Sequence, residues 1–456
     1  MSLRTRSQGS SYQMIEINSR EELINALAEA AELEHGLLCQ YVFAASTLKQ
    51  HVEEGVTWPQ TELIRGWKRA LLTVARQEMA HLGTVCNLLT AVGGAPHFMR
   101  LNFPQSASYF PADAPFTLRP FSEATLRRFM RFEEPEPQAI RAFAIAPGPI
   151  SYQHVGELYR SIEHAFGSLD ERTLFIGPVA DQDDNEWSRG LHLWPVRDRA
   201  SAHKAIEFII REGEGIPQHR QGSHYQTFVD AHAALVAELA SDPSFAPARP
   251  VAVDPVTRQH RDAPLGGTVI GDPRTREVAE WFSVSYETTL MMLGQFYSFG
   301  PETPAQREEL RQAAREMMSG VVRPLAEVLT QLPMGGDHPG LNAGPGFELY
   351  GDVHVSPHPE NAWYVILERL AVESEQGLTL AMEPDAHPRI QLCAENLGRI
   401  GDNLTRAIEG GFPTGPSPGL ARKASLVRPA TDGRLQRPTR TATARYGTAA
   451  RTENGS

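Results

Sequence analysis

Apolar residues recur at intervals of three and four positions over most of the chain, and this spacing predicts helices almost throughout. The first run follows a helix cap at Asn18 or Ser19 and continues to about residue 45. A second helix is predicted from Thr61 to about Ala91, where two glycines and a proline end it. Alternating patterns typical of strands are scarce. The pattern therefore predicts an all-α fold.

Further helices are predicted in two groups. They occupy 122–134, 148–169, 200–215 and 223–239, and then 275–299, 304–332, 359–382 and 387–411. We expect a first four-helix bundle in 19–240, with lid-like insertions at 95–148 and 171–200. A second helical bundle region is expected in 241–411, between a polar lead-in at 1–18 and a disordered basic tail at 412–456.

One charged pair interrupts the apolar seam of the second helix. The seam comprises Leu71, Val74, Glu78, His81, Val85 and Leu88, with steps of three and four residues. Glu78 and His81 therefore occupy positions that face the protein interior. A buried carboxylate without a cationic partner is unfavourable, so this pair requires a specific explanation.

Three other predicted helices each place one carboxylate at a position that faces the protein interior. Glu34 lies on the seam of the first helix, Glu157 shares a face with His154 on the third, and Glu214 continues the apolar face of the fourth. Two cations among these acids would explain the arrangement, because metal charge offsets the cost of burying carboxylates. Helix bundles that hold two irons or two manganese ions use Glu and Glu-x-x-His in this manner.

Each residue also has an interpretation without metal. Glu34 could be a buried ion-pair partner of Arg69 or Arg76, and His81 could be a core histidine bonded to a backbone carbonyl. A single Glu-x-x-His is common on solvated helices and carries little weight by itself. The coincidence of four in-phase acids on four helices favours the dinuclear site.

The composition narrows the classes of function. The 456 residues carry a net charge of -12, which argues against general nucleic-acid binding. No apolar run reaches the length of a membrane span, and the N-terminal residues lack the apolar region of a secretory signal. The three cysteines lie in helical stretches and form no disulfide pattern. We therefore expect a cytoplasmic protein without nucleic-acid or membrane partners.

Several stretches, taken together, resemble a known family. They are EAAELEHGLLCQYVFAASTLK, ARQEMAHLGTVCNLLTAVGGAPHF, HVGELYRSIEHAF, IIREGEG and SHYQTF. These stretches are similar to the ferritin-like domain of the iminophenylpyruvate dimer synthase type, over residues 15–235. The resemblance implies a ferritin-like four-helix bundle of the dimetal carboxylate class.

The resemblance also implies a metal shell from several helices. Its members would be Glu34, Glu78, His81, Glu157, Glu214 and His224. The last two are ten residues apart with Pro217 between them, and ten helical residues rise about 15 Å. A break or turn must therefore return His224 to the site. Glu212 is an alternative to Glu214, and His219 is an alternative to His224.

The predicted function is that of a dinuclear metal oxidase or oxygenase. Two irons are the expected cofactor, manganese or a mixed Mn/Fe pair being the alternatives, and dioxygen is the co-substrate. By the resemblance, the substrate would be a small aromatic or amino-acid-derived molecule in secondary metabolite biosynthesis. Manganese-catalase-like peroxide disproportionation and a non-catalytic metal-binding role are the alternative functions. Whether the chain forms a homo-oligomer stays open.

Overall fold

A computed structural model gives the structure of most of the chain. It describes residues 13–105, 115–135, 144–146, 152, 154–188, 191–213, 222–260, 266–298, 300, 302–351, 356, 358–409 and 411–412. Glu214, His219, most of the predicted polar lead-in and all of the tail beyond Phe412 lie outside the described residues.

The described residues are mainly helical, which confirms the predicted all-α fold. The helices are Arg20–Thr47 (α1), Trp58–Ala91 (α2), Glu123–Phe132 (α3), Val155–Ser168 (α4), Glu171–Leu174 (α5), Arg199–Gly213 (α6), His224–Ser241 (α7), Pro273–Phe296 (α8), Pro304–Met317 (α9), Arg323–Leu329 (α10), Pro359–Ala381 (α11) and Pro388–Ile408 (α12). None of them is both long and apolar enough to cross a membrane.

Short strands occur in three pairs. They are Gln13–Ile15 (β1), Ala144–Ala146 (β2), Glu186–Ser188 (β3), Leu191–His192 (β4), Pro255–Val256 (β5) and Thr268–Val269 (β6). β1 pairs with β2 and β5 with β6 in parallel, whereas β3 and β4 are antiparallel. The predicted lid-like insertion at 171–200 contains α5, β3 and β4.

Polar caps fix the ends of the long helices. Ser19 accepts a hydrogen bond from the backbone of Glu22 and so starts α1. Thr57 and Gln60 form a capping box at α2, which begins three residues before the predicted start because Pro59 fits the first turn. These caps set where the inward faces of α1 and α2 begin.

The predicted insertion at 95–148 contains a helix that belongs to the packed body. α3 packs against α7, and Phe129 lies with its ring centroid 4.7 Å from that of Tyr41 and 5.3 Å from that of Phe228. Ser122 caps this helix by accepting a hydrogen bond from the backbone of Thr125. Because α3 is fixed by these aromatic contacts, its end is placed against the first bundle. The lid role of the remaining insertion stays a prediction.

The two helical regions share one hydrophobic core. The buried cluster extends without interruption from α1 to α12, and Tyr286 of α8 reaches His35 of α1. Phe412 packs against Trp363, so the packed body extends into the first residue of the predicted tail. The predicted boundary near residue 241 is therefore bridged by packing, and its status as a domain boundary stays a prediction.

A π-helical turn joins α9 to α10. It covers Met318–Val322, and Pro324 follows in the first turn of α10. Such turns widen the helix locally, are less stable than the α form, and often lie at functional sites. This turn lines a large cavity together with residues of α2 and α8.

Glu327 links three helices through its carboxylate. It lies 2.8 Å from Lys68 Nζ on α2 and 2.5 Å from an Arg389 nitrogen on α12. Burial opposes ionisation of Glu327, but Lys68 outweighs it, with Arg389 adding to the effect, and lowers the pKa of this carboxyl to about 2.

We expect Glu327→Gln to lower the free energy of unfolding by about 2 kcal/mol at pH 7. A depressed folded-state pKa stabilises the folded protein above the ordinary pKa of 4.5, and this contribution disappears as the pH falls through about 2. Thermal unfolding at a series of pH values checks both points. The control is Glu383→Gln, which removes an exposed partner of Arg274. Equal melting temperatures for parent and Glu327→Gln at pH 7 would contradict the assignment.

Candidate metal centre

The inward faces of α1 and α2 bring three predicted residues together. Glu34, Glu78 and His81 are almost completely buried. His81 Nδ1 lies 2.9 Å from Glu78 Oε2 and 3.6 Å from Glu34 Oε2. Arg69 and Arg76, the partners considered for Glu34, are exposed on α2. The metal-free alternative of a Glu34–Arg pair therefore has no support in the geometry.

His224 completes the centre of the cluster from the first turn of α7. Its Nδ1 lies 3.0 Å from Glu78 Oε1, and its ring centroid lies 5.4 Å from that of His81. Glu78 thus contacts both histidines, one with each carboxylate oxygen. One ligand atom from each of Glu78, His81 and His224 lies within 4.8 Å of the others. This is the densest group of potential metal ligands among the described residues.

The chain is broken between α6 and α7, as the ten-residue spacing requires. α6 ends at Gly213 and α7 begins at His224. Near the end of α6, Glu212 Oε2 lies 3.3 Å from His81 Nε2. Glu212, the predicted alternative to Glu214, is therefore in contact with the cluster, while the ligand role of Glu214 stays a prediction.

Glu133 joins the cluster, although it is not among the site residues predicted from the sequence. It follows the last residue of α3, and its Oε2 lies 3.6 Å from His224 Nδ1. Tyr41 donates a hydrogen bond of 2.5 Å to its other oxygen. Leu126 and Phe129 are buried on the same helix, and steps of three and four lead from them to position 133. The seam criterion applied to α2 would have found Glu133 here.

Tyr159 extends from α4 to the cluster. The Tyr159 hydroxyl donates a hydrogen bond to Glu34 Oε1 and lines the small cavity beside Glu78, which Glu157 does not line. Positions two apart on a helix point about 200° apart, so both side chains cannot face one site. Glu157 is buried on α4. Its role as a ligand stays a prediction, and the described contacts favour Glu133 in that place.

His154 is hydrogen-bonded to the backbone beside the cluster. It is buried at the N-terminal end of α4, and its Nδ1 donates a 3.0 Å hydrogen bond to the carbonyl of Glu134. This contact fixes the backbone next to Glu133. His154 therefore helps to position Glu133 from outside the cluster.

The electrostatics show a cluster whose negative charge needs compensation. Burial and repulsion from Glu78 raise the pKa of Glu34 to about 7. Burial opposes protonation of His224, but Glu78 and Glu133 raise the pKa of its imidazole to about 10. Burial acts against the charge of His81 as well, yet the surrounding carboxylates raise its pKa well above the ordinary value. Binding of divalent cations requires the loss of these protons, because imidazolium cannot coordinate a metal.

The donor set fits a metal ion. His224 Nε2 is buried and has no hydrogen-bond partner among the described residues, and the 3.0 Å contact of buried Glu78 Oε1 with His224 Nδ1 lacks hydrogen-bond geometry. Unsatisfied buried atoms of this kind are unfavourable unless a ligand binds them. A cavity of about 20 Å³ lies beside them, lined by Glu34, Glu78, His81, Glu133 and Tyr159 among others. Carboxylate and imidazole donors are those that iron and manganese use.

The family model for ferritin-like proteins matches residues 27–231. These residues form a ferritin-like domain. The matched range begins within α1 and ends within α7, so it contains all the cluster residues described above. The resemblance identified from the sequence is thereby confirmed, and the cluster lies inside the ferritin-like domain.

Two enzymes are similar to the chain well beyond this domain. Dichlorochromopyrrolate synthase of Lentzea aerocolonigenes is 28% identical in an alignment 412 residues long that covers 81% of this chain and 40% of that protein. The 2-imino-3-(indol-3-yl)propanoate dimerase of Chromobacterium violaceum is 32% identical in an alignment 359 residues long that covers 72% of this chain and 34% of that protein. The chain therefore spans less than half the length of each relative.

A solved ferritin-like protein from Caulobacter vibrioides is also similar, with a TM-score of 0.44 and 17% identity. The match covers 67% of this chain and 96% of that chain. A likeness with this TM-score carries no argument about the site, and the fold is defined by the helices themselves.

Proposed function

We propose that this protein is a dinuclear metal oxidase or oxygenase, with two irons as cofactor, that uses dioxygen on a small aromatic or amino-acid-derived substrate. The observation that carries the proposal is the buried cluster around Glu78. Four carboxylates, from Glu34, Glu78, Glu133 and Glu212, surround two buried imidazoles. Helix bundles with two metal ions use the same number and type of donors.

The contacts of Glu78 favour two metal positions over one. Each of its oxygens is within 3.0 Å of a different histidine. His81 also contacts Glu34 and Glu212, whereas His224 also contacts Glu133. The ligands therefore divide into two sets that share Glu78. A shared carboxylate of this kind is what a pair of adjacent ions requires.

The protein residues would prepare the site for this chemistry. A bound pair of iron or manganese ions supplies Lewis acidity and one-electron redox chemistry toward dioxygen. Tyr159 and Tyr41 orient the carboxylates of Glu34 and Glu133 through their hydroxyl groups. Apolar neighbours such as Leu37 and Ile209 line the same cavity and exclude bulk water. Exclusion of water strengthens every electrostatic interaction in the site.

The names of the relatives support the class of substrate. One is a synthase of dichlorochromopyrrolate, and the other is a dimerase of an indolyl iminopropanoate. Both names describe small-molecule chemistry, and the second describes an acid with an aromatic side chain. We therefore propose an aromatic, amino-acid-derived acid as the substrate and secondary metabolite biosynthesis as the setting.

The test combines metal analysis with gas consumption. Protein from cells supplied with iron and manganese is expected to contain about two ions per chain. After chemical reduction, it should consume dioxygen in a single turnover, and His81→Ala protein should not. Rapid peroxide disproportionation without net dioxygen uptake would instead establish the catalase-like alternative. Protein without iron or manganese under these conditions would refute the dinuclear site. Metal-loaded protein that consumes neither dioxygen nor peroxide would establish the non-catalytic metal-binding alternative.

A further inference from the structure

A second, much larger cavity lies between the ferritin-like domain and the helices that follow it. Its volume is about 680 Å³, and its walls come from α1 and α2 on one side and from α8, α9 and α10 on the other. Cavities of about 300–1,000 Å³ hold organic ligands of ordinary size. The cavity is therefore large enough for a small organic molecule.

The cavity is separate from the metal cluster. On α2, Glu78 and His81 face His224, whereas Met79 and Gly83 line the cavity. On α1, the residue that follows Glu34 is His35, which also lines the cavity. The helix pair α1–α2 therefore forms a wall with the cluster on one side and the cavity on the other.

The interior surface of the cavity is largely apolar. Leu38 and Leu72 line it from the ferritin-like domain, and Leu290 and Leu293 line it from α8. The π-helical turn contributes Met318 and Val322. A less stable helical form thus occurs directly at the cavity wall, where it widens the backbone. Such a surface favours binding of the apolar part of a ligand, since burying that part removes apolar area from water.

Arginines form a second, positively charged part of the cavity lining. Arg69 and Arg76 are exposed on α2, Arg315 is half-buried on α9, and none of the three makes an ion pair within the described chain. Glu316 is the one carboxylate among the described lining residues, and it is bonded to Arg399 at 2.7 Å. Unpaired cations are therefore concentrated here, in a chain whose net charge is -12.

A buried arginine lies directly behind residues that line the cavity. Tyr286 lines it, and its hydroxyl accepts a 3.3 Å hydrogen bond from Arg100. Arg100 is 4% exposed, and its guanidinium also bonds the carbonyls of Leu101 and Phe347. No described carboxylate pairs with it. A buried guanidinium with only neutral partners leaves a positive potential that an anion would compensate.

The geometry points to a binding site in this cavity for an organic acid with an apolar, aryl-sized body and one carboxylate. The apolar body would occupy the leucine-lined interior, and the carboxylate would pair with Arg69, Arg76 and Arg315. A planar guanidinium binds a carboxylate through two parallel hydrogen bonds, which gives both affinity and orientation. This site lies beyond the proposed metal centre and does not depend on the reaction there.

Calorimetric titration with 2-naphthoate and with its neutral amide, 2-naphthamide, tests the site. We expect one molecule of 2-naphthoate per chain and at least about tenfold weaker binding of 2-naphthamide, because the amide lacks the charge. Arg69→Gln combined with Arg76→Gln should weaken 2-naphthoate binding about tenfold and leave 2-naphthamide unaffected. Leu290→Trp fills the cavity and should abolish binding of both.

The control combines Arg172→Gln with Arg274→Gln, which removes the same charge from exposed positions outside the cavity. Its affinity for 2-naphthoate should equal that of the parent. Absence of 2-naphthoate binding at millimolar concentration, or equal affinity in the parent and the Arg69/Arg76 variant, would overturn the proposal. Arg69 and Arg76 are exposed, so the Arg69/Arg76 variant still tests the site if Leu290→Trp fails to fold. Metal content is measured in parallel, because its loss would concern the metal centre and not this site.

Discussion

Replacing Glu78 by alanine is expected to lower the metal content of the protein from about two ions per chain to less than one. Glu78 contacts both histidines of the cluster, with distances of 2.9 Å to His81 and 3.0 Å to His224. Removal of a carboxylate that two ions share weakens both positions together. His81→Ala should also lower the content, but less completely, because the His224 side of the cluster retains its ligands.

Elemental analysis of proteins purified from iron- and manganese-supplied cells measures this effect. The matched control is Glu62→Ala on the same helix, where the carboxylate is exposed and bonded to Arg65. This variant should retain the metal content of the parent. Unchanged metal content and thermal stability in both Glu78→Ala and His81→Ala would show that the site assignment is wrong.

Glu133→Ala and Glu157→Ala are expected to differ sharply. The first should lose most of the metal bound on the His224 side, because Glu133 lies 3.6 Å from His224. The second should retain metal, because Tyr159 and not Glu157 faces the cluster from α4. Both residues are buried glutamates, so the substitutions remove the same group from similar surroundings.

Metal content and the increase in melting temperature on adding Fe²⁺ or Mn²⁺ distinguish the two variants. A ligand that binds only the folded protein raises its melting temperature, so loss of this increase reports loss of the site even where the fold is retained. The reverse result, with metal lost in Glu157→Ala and kept in Glu133→Ala, would restore Glu157 as the ligand and remove Glu133.

Most of what the sequence predicts about the site follows from the apolar seams of its helices. Steps of three and four residues place Glu34, Glu78 and His81 inward, and the structure brings these three together. The spacing between Glu214 and His224 requires a break, which lies between α6 and α7. These conclusions follow from local periodicity, which depends only on the 3.6-residue turn of a helix.

Other features depend on how separate segments pack, which local periodicity does not determine. Glu133 follows a short helix that the sequence predicts, but only the packing of α3 against α7 brings this carboxylate to His224. On α4 the seam through Glu157 is consistent with the sequence, but the packing of α4 turns Tyr159 toward Glu34. The large cavity arises only where α1 and α2 meet α8 and α9.

The shared wall of α1 and α2 makes both helices intolerant of changes in length. Glu34 and Glu78 face the metal cluster, whereas the next residues, His35 and Met79, line the cavity on the other side of this wall. Insertion or deletion of a single residue rotates everything beyond it by about 100°. Such a change would carry carboxylates toward the leucine-lined side and apolar groups toward the histidines. Related proteins that keep both sites should therefore vary in loop length while keeping these two helices free of gaps.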